Sequence, residues 1–149
     1  MAAVKALCAL KMQKTDGVAA EIIPNLFLGS IGCASSKKNL NAHGITHIMT
    51  VANKLQPAYP TEYAYHVIEI PDAPNANILA YFPQAIKFME ETLANPDNKL
   101  LVHCFAGKSR SSTVLLAYLM QAQGMNLRDA YDLVKSKREK VLPNMGFIV

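Results

Sequence analysis

Cysteines, long apolar runs and low-complexity segments are scarce in this sequence. Of its 149 residues only three are cysteines, Cys8, Cys33 and Cys104. So small a set does not suggest a disulfide framework and favours a reducing compartment. The longest apolar stretch, around residues 114–120, is far shorter than the roughly 20 residues of a membrane-spanning helix. The first ten residues lack the pattern of a secretory signal. We therefore expect an intracellular protein, in the cytoplasm or nucleus, without a membrane span.

Arginine is also scarce, with three residues in the chain, and they form no stripe interleaved with aromatic residues. Nucleic-acid binding therefore has little support. The net charge of +4 fits an anionic substrate and equally an ordinary basic surface. A chain of 149 residues that is 51% hydrophobic is long enough for one domain with a sizeable core.

Strand patterns alternate with helix patterns along the chain. Apolar strands are predicted at residues 22–28, 45–51, 65–70 and 99–103. Helices are predicted from Ser35 or Ser36 to His43, from Asn77 to about residue 93, at 111–123 and after Asn126. This alternation predicts an α/β fold with a mostly parallel sheet and helices on both faces. A short helix at residues 2–14 suggests an N-terminal extension, residues 1–20, before a main domain at 21–149.

The segment from Cys104 to Arg110 joins the last predicted strand to a buried helix. Ligands of such sheets bind beyond the carboxyl ends of the strands. Successive N–H groups and the helix dipole create an anion site there. Gly107 allows the backbone to curl tightly, and the planar fork of Arg110 can hold two phosphate oxygens.

An anion site also favours the thiolate of Cys104. Attack of this thiolate on phosphorus would form a cysteinyl-phosphate and divide one difficult displacement into two easier ones. Ser111 can donate to the sulfur and ease its departure in the second step, while His103 orients the loop. The loop N–H groups and Arg110 already meet the phosphate charge, so we expect no metal and no cofactor.

The leaving oxygen needs a proton, which a carboxylic acid on another loop can supply. Asp72 is the best candidate because its loop also leaves the end of a predicted strand, whereas Glu69 lies within that strand. The alternative is a turn-forming aspartate beside Pro71, which is a common use of this residue.

Residues 103–111 fit the His-Cys-x-x-Gly-x-x-Arg-Ser/Thr signature of protein tyrosine phosphatases, and the Ala-Gly-x-Ser-Arg-Ser form resembles the dual-specificity branch. Further likeness extends over most of the chain, at residues 23–30, 44–48 and 117–120 and at Pro143-Asn144-x-x-Phe147. The loop together with the Val-Lys-Ser-Lys-Arg helix is most similar to small plant or algal members that act on MAP kinases.

The resemblance implies a five-stranded, mostly parallel twisted sheet between helices. It implies hydrolysis of both phosphotyrosine and phosphoserine or phosphothreonine in proteins, in a shallow pocket. The implied catalytic residues are Cys104 as nucleophile, Arg110 as phosphate ligand, Asp72 as acid and then base, and Ser111. Phosphate-binding backbone donors are Phe105, Ala106, Gly107, Lys108 and Ser109, with His103 and Asn144 in support.

This sequence departs from the family pattern at two places. Asn77-Ile78 stands where the family usually has Asp-Ile, and asparagine can still cap a helix. The family commonly continues with a helix after the Pro143-Asn144 segment, whereas this chain stops at Val149. Either the chain is truncated or this member lacks that helix.

Other interpretations stay open at this point. A phosphatase of the same fold could act on lipid, glucan or RNA phosphates, although such lipid enzymes typically have more lysines in the loop than Lys108. A phosphate-binding module without turnover is a second alternative, which the intact Cys104 disfavours. The basic run at residues 135–140 is either a solvated helix end or a docking site for an acidic kinase surface. The lysine-rich N-terminus allows a calmodulin-like partner.

Overall fold

The computed structural model of the chain describes residues 2–148. Five strands form one sheet in the order β1-β2-β5-β3-β4. The strands are β1 (Ala20–Ile23), β2 (Leu26–Gly29), β3 (His47–Val51), β4 (Ala64–Ile68) and β5 (Leu100–His103). β2, β5, β3 and β4 run parallel, and only the edge strand β1 is antiparallel to its neighbour. The predicted mostly parallel sheet is therefore confirmed.

The single strand predicted at residues 22–28 is wrong, because the structure divides it into the β1–β2 hairpin. Pro24 has no N–H for a sheet ladder, and Asn25 adopts a left-handed conformation with φ of 71°. The Asn25 N–H donates to Glu21 Oε2 at 2.9 Å, which closes the turn. These two residues reverse the chain direction and supply the fifth strand.

Helices cover both faces of the sheet. They are α1 (Ala2–Thr15), α2 (Ile31–Ala34), α3 (Lys37–His43), α4 (Phe82–Leu93), α5 (Arg110–Ala122), α6 (Leu127–Lys137) and α7 (Met145–Ile148). Alternate side chains of each central strand enter different cores: Leu100 and Val102 pack in the cluster with α4, α5 and α6, whereas Leu101 packs with α2 and α3. This alternation follows from the two-residue period of a strand.

Most predicted helix caps are present. The side chains of Ser36 and Asn126 accept bonds from the first turns of α3 and α6, and Gly44 ends α3 in the left-handed conformation. The predicted cap at Asn77 is wrong, because its side chain makes no capping bond and a 3₁₀ turn, Ile78–Tyr81, precedes α4. Pro83 in the first turn of α4 lacks an N–H and favours a helix start beside it.

No helix among residues 2–148 is long and apolar enough to cross a membrane. Within the same residues Cys8, Cys33 and Cys104 are all free thiols, with Cys8 exposed and the other two buried. The carboxyl end of β5 leads directly into the Cys104 loop and then into α5. This connection places the loop at the ligand-binding edge of the sheet.

Candidate active site

Residues 104–109 form a tight loop between β5 and the N-terminus of α5, which we call the phosphate loop. Gly107 has a φ of 67° and lies so close to Gly29 that a Cβ atom at position 107 would overlap the Gly29 carbonyl. Only glycine fits this conformation and this approach without strain. The α5 dipole points its positive end at the loop.

The carbonyl groups of the phosphate loop accept hydrogen bonds from the surrounding structure. Phe105 O accepts from the Ile31 N–H at 2.9 Å, and Lys108 O accepts from the Leu142 N–H at 2.7 Å. The carbonyls of residues 106 and 107 both accept from Arg138 at 3.0 Å. Because carbonyl and N–H point in opposite directions across a trans peptide, these contacts turn the N–H groups towards one concave side, which is an anion-binding arrangement.

Cys104 is 2% exposed and its sulfur lies among donors. The Gly107 N–H donates to Cys104 Sγ at 3.2 Å, and Ser111 Oγ is 3.1 Å from the same sulfur. Donors aimed at a sulfur stabilise its anionic form. The predicted pairing of Cys104 with Ser111 is thus present as a direct contact.

Arg110 is buried at the start of α5, and its guanidinium is anchored from two other loops. Nη1 donates to Asn53 Oδ1 at 3.0 Å and to the Ile70 carbonyl at 3.1 Å. Among the described residues its buried Nε has no hydrogen-bond partner. An unsatisfied buried donor is costly, and a phosphate oxygen would satisfy it. The arrangement fits an anion held between Arg110 and the phosphate loop.

His103 is fully buried behind the loop, and burial lowers its pKa to about 4. The ring is therefore neutral near pH 7. Its Nδ1 lies 3.1 Å from the Cys104 carbonyl and its Nε2 lies 2.9 Å from Thr50 Oγ1. A carbonyl only accepts, so Nδ1 carries the proton and Nε2 accepts from Thr50. This neutral ring orients the loop, in agreement with the predicted supporting role.

The pKa of His103 makes stability depend on pH. Between about pH 6.5 and pH 4 the unfolded chain binds a proton at residue 103 that the folded chain does not, so stability falls as pH falls through this range. We expect a loss of up to about 3 kcal/mol. Urea unfolding at pH 7 and pH 4.5 measures it. His103→Gln should weaken this dependence while other histidines keep theirs; an unchanged dependence would contradict the assignment.

Asp72 lies in an exposed irregular loop after β4, as predicted. Its Oδ1 accepts from Asn144 Nδ2 at 2.7 Å, and the Asn144 N–H donates to Ser109 Oγ at 2.9 Å. In α7, Gly146 approaches the Pro74 carbonyl so closely that a Cβ at position 146 would overlap it. Asn144 thus links the loop of Asp72 to the phosphate loop.

The structure brings the predicted residues together. It also shows contacts from several residues that were not predicted from the sequence. The additions are Asn53, Thr50, Asp16 and Arg138. For Arg138 the interpretation as part of a solvated helix end is wrong, since the residue is 6% exposed and contacts the phosphate loop. Two backbone carbonyls and the Asp16 carboxylate surround its guanidinium. No local sequence pattern indicates such contacts. Lys137 and Lys140 of the same basic run are exposed.

Residues 26–149 match the family described as "Dual specificity phosphatase, catalytic domain". The chain belongs to the dual-specificity phosphatases. Dual specificity protein phosphatase 1 of Arabidopsis thaliana is 41% identical over 99% of this chain and 74% of its own length. A second relative, MAP kinase phosphatase with leucine-rich repeats protein 3 of Dictyostelium discoideum, is 39% identical over 91% of this chain but 16% of its own length. The family predicted from the sequence is confirmed.

Solved structures agree with this membership. The human tyrosine phosphatase-like serine/threonine/tyrosine-interacting protein superposes with a TM-score of 0.83 at 36% identity, over 89% of this chain and 91% of that one. Within the described part of the chain, no group of three or more His, Cys, Asp or Glu side chains could hold a metal ion.

Proposed function

We propose that this dual-specificity phosphatase hydrolyses phosphotyrosine and phosphoserine or phosphothreonine in proteins through a cysteinyl-phosphate. The observation that carries the proposal is the environment of Cys104. Its sulfur lies 3.2 Å from the Gly107 nitrogen and 3.1 Å from Ser111 Oγ, inside a loop whose carbonyls are bonded on the outside. A nucleophile and an anion site thus coincide at the carboxyl edge of the sheet.

In the first step the Cys104 thiolate attacks phosphorus, and the bond between phosphorus and the leaving oxygen breaks. Asp72 in its acid form gives its proton to that oxygen, so the substrate leaves as a neutral alcohol or phenol. Arg110 and the N–H groups of residues 105–109 bind the phosphoryl oxygens and stabilise their charge. The guanidinium is already held by Asn53, so little reorganisation is needed.

In the second step a water attacks the phosphorus of the cysteinyl-phosphate. The Asp72 carboxylate takes a proton from the water, and the bond between sulfur and phosphorus breaks to release inorganic phosphate. Ser111 Oγ, 3.1 Å from the sulfur, donates to the departing thiolate and makes it a better leaving group. Asp72 returns to its acid form and Cys104 to its thiolate, so the cycle closes.

A substrate panel tests this function. Aryl phosphate and a set of phosphotyrosine, phosphothreonine and phosphoserine peptides are compared with phosphoinositides, phosphoglucan and RNA with a 5′-phosphate, with vanadate as inhibitor. We expect vanadate-sensitive hydrolysis of aryl phosphate and of the peptides. Preference for a non-protein phosphate would contradict the substrate class. Binding of phosphopeptides without any turnover would contradict catalysis.

We propose MAP kinases as the protein substrates. The support is the name of the Dictyostelium relative, MAP kinase phosphatase, together with the exposed Lys137 at the end of α6. Dephosphorylation of a doubly phosphorylated MAP kinase should exceed that of its isolated activation-loop peptide by kcat/KM. Equal kcat/KM values for the kinase and the peptide would contradict a contribution from docking.

We also propose a reducing, intracellular location. The nucleophile must be a free thiol, and Cys104 is free together with Cys8 and Cys33. Fractionation with a tagged full chain measures the location, and recovery outside the cytoplasm and nucleus would contradict it. The calmodulin-like partner stays a prediction.

A further inference from the structure

Arg138 follows the last turn of α6 and turns inward under the phosphate loop. Its Nε donates to the Gly107 carbonyl and its Nη2 donates to the Ala106 carbonyl, each at 3.0 Å. The side chain is 5% exposed. A buried guanidinium needs a counter-charge as well as hydrogen bonds, and the counter-charge comes from another part of the chain.

That counter-charge is Asp16, the residue that follows α1. Asp16 Oδ1 and Oδ2 accept from Arg138 Nη1 and Nη2 at 3.1 and 2.9 Å, a two-pronged ion pair. Burial alone would raise the pKa of the Asp16 carboxyl, but the hydrogen bonds and charges of Arg138 and Lys140 hold it below its usual value. The carboxylate is therefore ionised at neutral pH.

The backbone of Asp16 is fixed as well. Its N–H donates to the Met12 carbonyl at 2.8 Å at the end of α1, and its carbonyl accepts from Ser30 Oγ at 3.0 Å. Asp16 therefore lies at a fixed position between α1 and the start of α2. It also precedes residues 26–149, the part that matches the family domain.

We propose that the Asp16–Arg138 ion pair positions the phosphate loop for catalysis, with both as positioning residues. The reason is peptide geometry. The Ala106 carbonyl belongs to the same peptide as the Gly107 N–H, which donates to Cys104 Sγ at 3.2 Å. Arg138 holds that carbonyl on the outside, so the N–H on the opposite side of the planar peptide points at the sulfur.

The next peptide follows the same rule. Arg138 holds the Gly107 carbonyl, so the Lys108 N–H points to the anion side of the loop. Asp16 fixes the guanidinium that holds both carbonyls. The segment before the family domain thereby contributes to the shape of the active site. This inference rests on the proposed function only in assigning the loop to phosphate binding.

The test follows the reactivity of Cys104 with iodoacetamide as a function of pH, read by peptide mapping. Alkylation needs no turnover, so it is independent of the proposed function. Burial raises the pKa of Cys33 to about 12, so that thiol stays protonated and does not interfere.

The variants are Asp16→Asn and Arg138→Met, with Lys140→Met as matched control. Lys140 contacts Asp16 at 3.2 Å and has no bond to the loop.

Asp16→Asn is decisive because a purely electrostatic effect and a loss of positioning shift the pH midpoint of alkylation in opposite directions. Electrostatics alone would lower the pH midpoint of alkylation, since a negative charge near the thiolate is removed. Loss of positioning raises the midpoint, since the Gly107 N–H no longer points at the sulfur. We expect a rise of about half a pH unit for Asp16→Asn and about one unit for Arg138→Met, with vanadate affinity about tenfold weaker.

Lys140→Met should leave the midpoint and vanadate affinity near the wild-type values. Arg138→Lys keeps the charge but not the fork and should recover part of the effect. Thermal unfolding is recorded for each variant, and if Arg138→Met does not fold, Asp16→Asn carries the test. A midpoint for Asp16→Asn that is unchanged or lower overturns the proposal. Wild-type protein without phosphatase activity would instead contradict the proposed function.

Discussion

Cys104→Ser removes hydrolysis of aryl phosphate and phosphopeptides, with a fall in kcat of at least about 10⁴-fold. The reason is that a serine hydroxyl is a far weaker acid than a thiol and stays protonated, so no anionic nucleophile forms. The N–H groups of the loop and Arg110 are unchanged by this substitution. Binding of phosphate or vanadate, measured by calorimetry, should therefore stay within a few-fold of the wild type.

Cys33→Ser is the matched control, because Cys33 is also buried and undergoes the same replacement of sulfur by oxygen. Cys33 lies in α2 and packs in the cluster with Leu40 and Leu101. The folded control should keep its activity. Turnover by Cys104→Ser near the wild-type rate would exclude a cysteinyl-phosphate intermediate and end the covalent mechanism.

Asp72→Asn lowers the rate of hydrolysis by an amount that depends on the leaving group of the substrate. A phosphoserine or phosphothreonine peptide leaves as an alkoxide unless it is protonated, and loss of a general acid costs about 10²- to 10⁴-fold. An aryl phosphate with a strongly acidic phenol needs no proton, so its cleavage should change far less. The measurement is steady-state kcat on a series of aryl phosphates of increasing phenol pKa. The slope of log kcat against the phenol pKa is compared between the variant and the wild type.

Glu69→Gln serves as control for this prediction, since it removes a carboxylate three residues earlier. The predicted position of Glu69 within the strand is wrong, because β4 ends at Ile68 and Glu69 follows it. Glu69 Oε1 accepts a hydrogen bond from the Lys54 N–H at 3.4 Å. The control should leave the dependence on the leaving group unchanged. If Asp72→Asn slowed good and poor leaving groups equally, Asp72 would have a structural role only, and the acid would lie elsewhere.

Asn144 links the exposed carboxyl of Asp72 to the phosphate loop. Asn144 bonds to Asp72 Oδ1 at 2.7 Å and to Ser109 Oγ at 2.9 Å. A second link joins the Ile70 carbonyl to Arg110 at 3.1 Å. Both links join the loop of Asp72 to the phosphate loop and to the first residue of α5.

The family, the α/β fold and the candidate nucleophile follow from the amino-acid sequence. These depend on local information: the strand before Cys104, the helix after Arg110 and the glycine at position 107 are consecutive in the chain. The caps at Ser36, Gly44 and Asn126 are likewise local, because a cap bonds within three or four residues. Such signals survive without knowledge of the tertiary structure.

Three features are visible only in the folded molecule: the hairpin at Pro24-Asn25, the anchor of Arg110 on Asn53 and the Asp16–Arg138 ion pair. The partners in the last two contacts lie 57 and 122 residues apart in the chain. No periodicity or spacing marks a contact over such distances. A buried arginine and a solvated one look alike in a basic run, because only packing decides which side chain finds its counter-charge inside the fold.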